Sequence, residues 1–514
     1  MERTEATDPE APPAPPPGGY TPGQRAGLVV GGVLGGGLVA LSEVLPPPEG
    51  LEPDAYRLLG VAILVAVWWV TEALPLGATA LVPAAAFPLL GIMDAGDAAT
   101  AYMSPIILLL LGGFLLALAV ERSGAHQRLA LHILLGVGTS PRRLVLGFAT
   151  AAALLSMWIS NTATTLVMMP VALAIADRAR RADVSASEAR AFAIAILLGT
   201  GYGASVGGMG TPVGTPPNLI AMKALSDVGR ADAFTFPTWA AISIPVVAVM
   251  VPLVWYSLVR LYPKVPARMP LGAEEVLRAE LSGLGSWRPS EVRSLAVFGL
   301  AALLWVTRPD LRLDEGLEIA GWARRLGLTG THDGAVAAGV AVLACALPSG
   351  ERDGHRLLPW STAVQVPWGL VLLFGGGIAL SKGFVATGVS TWLGTTLAAQ
   401  AQGSLGPFTA LVTLGSTFGT ELMSNTALAN IAMPILAATA REASVDPRAL
   451  LWPAALACSC AFMMPAATGP NAIVFGTGRI RIIEMVRAGF LTNWLAGAVI
   501  VLAALVVFPV LRGG

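Results

Sequence analysis

Ser160-Asn161-Thr162 and Ser424-Asn425-Thr426 are identical polar triplets 264 residues apart, each deep in an apolar stretch with no Lys or Arg nearby. Side chains of these types can do two kinds of work. Their hydroxyl and amide oxygens can surround a hard cation, and their amide and hydroxyl hydrogens can donate to a carboxylate. A hydrolytic serine would need a base, and no His or Lys accompanies Ser160 or Ser424. Ser, Thr and Asn also glue transmembrane helices together. Recurrence of the whole triplet in a matching context favours a duplicated binding site, because hydrocarbon tolerates unpartnered polar groups poorly.

The elements that must position the triplets are membrane elements. The 514 residues are 55% hydrophobic and 12% charged, with zero net charge and a mean hydropathy of +0.70. The apolar residues fall in runs long enough for crossings of about 20 residues. Zero net charge implies no acidic or basic partner, and nothing suggests nucleic-acid binding. Cys345, Cys458 and Cys460 sit in apolar segments without metal-ligand spacing and read as small core residues. Residues 1–24, rich in proline and acidic side chains, are expected to be a disordered tail.

Two apolar stretches have awkward lengths. The run 144–176 is too long for one crossing and too short for two with a turn, and Arg142, Arg143, Arg178, Arg180 and Arg181 bracket it with charge on one face. A re-entrant hairpin over 142–178 is expected, and a second over 407–440. Each is followed by an interrupted helix. In 191–222 the glycines from Gly201 to Gly214 and the run Thr215-Pro216-Pro217-Asn218 are expected to break the helix. In 449–478 the break is expected at Pro465-Ala466-Ala467-Thr468-Gly469-Pro470-Asn471. Proline kinks alone would not need so many glycines and a repeated Pro-Asn close. Broken helices bring half-helix N-termini and unwound carbonyls to one place, where anion and cation sites can coexist.

The duplication is longer than its motifs. Pro105 leads a helix with Gly112-Gly113, and Pro367 leads one with Gly375-Gly376. Each leads into a surface stretch, a hairpin, a broken helix and a closing helix. The first surface stretch, 121–143, is expected to hold an amphipathic helix at the interface. With a cytoplasmic N-terminus and about eleven crossings, 21 of the 32 Lys and Arg fall on the cytoplasmic side. The hairpins then enter from opposite faces, and the repeats are inverted, as in secondary transporters with midplane sites. The domains expected are scaffold helices over 25–104, a first repeat over 105–260, and a cytoplasmic connector over 261–291. Further scaffold helices follow over 292–366, then the second repeat over 367–514.

Trp68-Trp69-Val70-Thr71-Glu72, Met157-Trp158-Ile159-Ser160-Asn161-Thr162, Gly214-Thr215-Pro216-Pro217-Asn218 and Thr420-Glu421-Leu422-Met423-Ser424-Asn425-Thr426 together resemble the divalent anion/sodium symporters, across about 58–509. The resemblance implies an all-α polytopic membrane protein and a homodimer, with scaffold and mobile transport domains working as an elevator. It implies one sodium site at Ser156, Ser160, Asn161 and the Gly214 carbonyl, and another at Thr420, Asn425 and the Met423 and Ala467 carbonyls. The substrate carboxylates would meet Asn161, Thr162, Thr215, Asn425, Thr426, Thr468 and Gly469. Where the family commonly has proline this chain has Gly469, which is expected to loosen the second turn.

No Lys, Arg or His falls inside the first hairpin between its flanking arginines, in the second hairpin, or at the breaks. Bound sodium is therefore expected to supply the charge a dianion needs, coupling the two. Glu421 and Glu72 read as structural acids, and His126, His132, His332 and His355 as surface residues. The expected function is sodium-driven uptake of a C4 dicarboxylate such as succinate, malate or fumarate across the inner membrane, with no cofactor beyond sodium. A sodium-independent exchanger, a sulfate or citrate carrier, and an ion channel are the alternatives.

Overall fold

The computed structural model describes residues 19–46, 51, 54–230, 234–314, 317–351, 354–403 and 405–510. Among them, eight helices are long and apolar enough to cross a membrane, and four shorter apolar helices accompany them. One feature departs from the all-α expectation. After the helix Pro289–Thr307 the chain meets Pro309, which cannot continue a helix, and Leu311–Asp314 pairs antiparallel with Leu317–Ile319.

At the N-terminal end, Thr21 forms a capping box with Gln24 and starts the helix Pro22–Leu41. The last residues of the expected tail are thus helical, while residues 1–18 lie outside the described residues. Gly27, Gly31 and Gly35 let this helix close onto Thr71, Trp68 and Gly60 of the neighbouring helix Ala55–Thr71.

Each triplet sits at the turn from one helix into the next. In the first hairpin Pro141–Ser156 turns into Asn161–Arg181; in the second Leu405–Gly419 turns into Asn425–Glu442. The returning arms carry Pro170 and Pro434 at matching places. The first broken helix is Ala186–Gly208 followed by Pro216–Asp227, and the second is Arg448–Cys458 followed by Gly469–Gly476.

The first break starts later than its glycines suggest. Gly201 and Gly203 remain helical. Gly199 faces Val145, while a Cβ on Gly203 or Gly207 would fall on the backbone of Ala149 or Ala153. These glycines set the approach of the broken helix to the outgoing hairpin arm, one every helical turn, and do not unwind the chain.

The surface helix, Ala125–Val137, is docked more firmly than an interfacial helix needs. Arg128 is 3% exposed, donates to both carboxylate oxygens of Glu291 at 3.1 Å, and also donates to the carbonyls of Leu284, Gly285 and Ser286. Its guanidinium lies 5.0 Å from the Trp287 ring centroid. His126 is buried too, contrary to the surface expectation, and burial holds it below the usual imidazole range. Arg128 in a Leu- and Ala-rich helix reads as part of a wet face, but a distant carboxylate and three carbonyls take it inside.

Gly207→Ala is expected to lower the thermal unfolding midpoint in detergent, by overpacking worth about 2 kcal/mol. Gly32→Ala, in the first helix where a Cβ meets nothing, is expected to hold or raise it. Equal effects at both positions would remove the close-approach account.

Candidate functional site

Ser160 and Ser424 are N-caps, so Asn161-Thr162 and Asn425-Thr426 open the returning hairpin arms. Thr215 and Thr468 are N-caps as well, both extended (φ −146° and −141°), opening the second halves of the broken helices. Four helix N-termini therefore converge, and between them lies a cavity of about 180 Å³. Asn161, Thr162, Thr215, Asn425, Thr426, Thr468 and Gly469 all line it, with Ser160, Gly214 and Ala467. Leu110, Phe114, Trp158 and Leu370 supply apolar walls, and among the described residues no charged side chain lines the cavity. Each N-terminus contributes partial positive charge, so an anion there meets a favourable field without a formal cation.

Behind each hairpin tip, oxygens crowd together. Ser156, fully buried, donates to Asn161 Oδ1 at 2.6 Å. A Cβ on Gly208 would strike Asn161 Oδ1 and the Gly214 carbonyl, so both oxygens pack against the end of the same helix. In the second repeat Thr420 Oγ1 lies 2.7 Å from Asn425 Oδ1 and 2.8 Å from the Cys458 carbonyl. One hydroxyl proton serves two acceptors, leaving an oxygen-rich cluster suited to a hard cation. Cys458 escaped the sequence reading because a main-chain carbonyl has no side-chain signature. Ser156, Thr420 and Met423 lie outside the cavity lining, with Met423 in the turn before Ser424.

The unwound segments are held by asparagines that follow the prolines. Asn218 Nδ2 donates to the Gly208 and Thr211 carbonyls at 3.0 and 2.7 Å, and Asn471 Nδ2 donates to Ala461 and Met464, both at 3.0 Å. The repeated Pro-Asn was the signal available for this role. Trp239 Nε1 reaches the Met209 carbonyl, Thr211 Oγ1 the Met157 carbonyl, and the Tyr202 hydroxyl the Phe462 carbonyl.

Glu421, 8% exposed, does the most for the second break. Its Oε1 accepts from the backbone of Phe462 and Met463 and from Asn493 Nδ2, at 2.7–2.8 Å; its Oε2 accepts from Met464 N at 2.9 Å. The acid is a backbone clamp. Glu72 differs: it is an exposed, left-handed C-cap (φ 47°) at the end of the helix Ala55–Thr71. Gly469 also departs from expectation. A Cβ there would fall on the Thr162 hydroxyl, so the glycine tightens the contact between first hairpin and second broken helix.

Glu421→Gln conserves volume but turns one acceptor into a donor facing N–H groups. A stability loss of about 3 kcal/mol is expected, read as a lower midpoint in detergent, against no shift for Glu72→Gln. An unshifted Glu421→Gln protein would remove the clamp.

Comparison with known proteins fits this geometry. A family model described as the sodium:sulfate symporter transmembrane region matches residues 38–512. The sodium-dependent dicarboxylate transporter SdcS of Staphylococcus saprophyticus is 37% identical over 498 residues, covering 96% of this chain and 93% of that protein. The SdcS of Staphylococcus aureus strain RF122 is 35% identical over 494 residues, covering 95% and 92%. Two solved structures share the fold at low identity. The Alcanivorax borkumensis YdaH transporter has a TM-score of 0.50 at 17% identity, covering 94% of this chain and 98% of its own. Neisseria gonorrhoeae MtrF has a TM-score of 0.54 at 13% identity, covering 93% and 94%. With the family match spanning most of its length, this multi-pass membrane protein belongs to the divalent anion/sodium symporter family.

Proposed function

We propose that the protein couples inward sodium movement to uptake of a C4 dicarboxylate such as succinate, malate or fumarate. The observation that carries this is the double duty of Asn161 and Asn425. Each lines the uncharged cavity and each places its Oδ1 in an oxygen cluster behind it. Sodium in those clusters would lend a dianion the positive charge that the lining lacks, so each would strengthen the other's binding. The names of the SdcS relatives support the same reading.

In this reading Ser156, Ser160, Asn161 and the Gly214 carbonyl hold one sodium. Thr420, Asn425 and the Met423 and Ala467 carbonyls hold the other, joined by the Cys458 carbonyl. Asn161, Thr162, Thr215, Asn425, Thr426, Thr468 and Gly469 bind the dianion. Hairpins and broken helices form the part that moves, as an elevator, against scaffold helices paired in a homodimer. The protein lies in the inner membrane with its N-terminus cytoplasmic, a placement supported by the distribution of Lys and Arg.

In proteoliposomes, labelled succinate is expected to accumulate only under an inward sodium gradient and to compete with malate. Asn161→Ala and Asn425→Ala are each expected to lower the initial rate at least about tenfold, the equivalent of one good polar contact. Uptake that survives replacement of sodium by choline, driven by internal succinate, would replace symport with exchange.

A further inference from the structure

The two repeats close their broken helices with nearly the same four residues, Thr215-Pro216-Pro217-Asn218 and Thr468-Gly469-Pro470-Asn471. The single difference changes what each offers the cavity. At the first site Pro216 and Pro217 occupy the first two helical positions and carry no N–H, and Asn218 N is engaged with the Thr215 carbonyl at 3.2 Å. No backbone donor of that first turn is free. The Thr215 side chain makes no cap bond; its residue is 3% exposed and lines the cavity, so its hydroxyl is the donor that this turn presents.

The second site reverses these roles. Thr468 Oγ1 accepts from Asn471 N at 3.2 Å and caps its own helix, Gly469–Gly476. Pro470 has no N–H. Gly469 has one, at the first helical position, where N–H groups point past the helix end, and nothing among the described residues accepts from it. Beside it stands the Thr162 hydroxyl, brought in by the missing Cβ. Thr426 is 4% exposed and lines the same cavity with its hydroxyl unpartnered among the described residues.

We propose that the Gly469 N–H is a carboxylate donor and that the two ends of the dicarboxylate are held unequally. One carboxylate takes the Gly469 N–H at a helix N-terminus, with the Thr162 hydroxyl. At the other, the broken-helix turn offers no N–H and presents the Thr215 hydroxyl, beside that of Thr426. This rests on the dicarboxylate reading above. A backbone N–H at a helix end can only donate, so its half of the site demands an acceptor oxygen and favours an ionised one; a hydroxyl donates or accepts and tolerates either.

Proline at position 469 removes the N–H while keeping the backbone, because Thr468 already has the extended conformation that Thr215 adopts before Pro216. The clash with Thr162 must be relieved first, so the comparison is made in a Thr162→Ala background. There, Gly469→Ala keeps the N–H and Gly469→Pro lacks it. The expected result is a succinate KM at least about tenfold higher for the proline variant than for the alanine variant. Pro216→Gly in the otherwise unchanged protein adds the matching donor to the other side and is expected to lower KM severalfold. Equal KM values for the Ala and Pro variants would overturn the proposal. Should the proline variant fail to fold, an unchanged KM for Pro216→Gly would overturn it instead. Absence of sodium-driven succinate uptake in the unaltered protein would count against the dicarboxylate reading alone.

Discussion

A helix that unwinds among apolar neighbours releases peptide groups that water cannot reach, and each must find a partner within the protein. This constraint shapes everything around the cavity. Asn218 and Asn471 return across their own breaks to bond the freed carbonyls. The Glu421 carboxylate gathers three consecutive N–H groups that would otherwise be orphaned. Only because those groups are satisfied can the following helices begin deep in the molecule and turn their N-termini on a common point.

The two repeats meet the constraint differently. Glu421 stands three residues before its triplet serine, and the same place in the first repeat is Met157. There the debt runs the other way, since the Met157 carbonyl receives the Thr211 hydroxyl. The hydroxyls behind the tips also differ. Ser156 donates to Asn161 Oδ1, whereas Thr420 has Cys458 as a second acceptor and can turn its proton away from Asn425. The second cluster is better prepared to offer bare oxygens.

Sequence made the hairpins and breaks legible because polar triplets, prolines and clustered glycines are conspicuous in a chain this apolar. Thr215, Thr468 and the paired asparagines stood out for the same reason. What escaped depended on partners distant in sequence. Gly203 and Gly207 look like helix breakers until Ala149 and Ala153 arrive against them. Arg128 looks solvated until Glu291, far along the chain, takes it inside. Gly469 looks loose until Thr162 fills the space. In each case residue type was informative about local conformation and silent about which surface would close on it.

The glycine seam between the outgoing hairpin arm and the first broken helix joins main chain to main chain. Side chains that mesh can hop between rotamers and let two helices slide; a contact of bare backbones has no such slack. The first hairpin tip and the first break are therefore geared together, so a displacement of one is delivered undamped to the other. Tyr202, on the seam helix, carries that gearing through its hydroxyl to Phe462 in the second break.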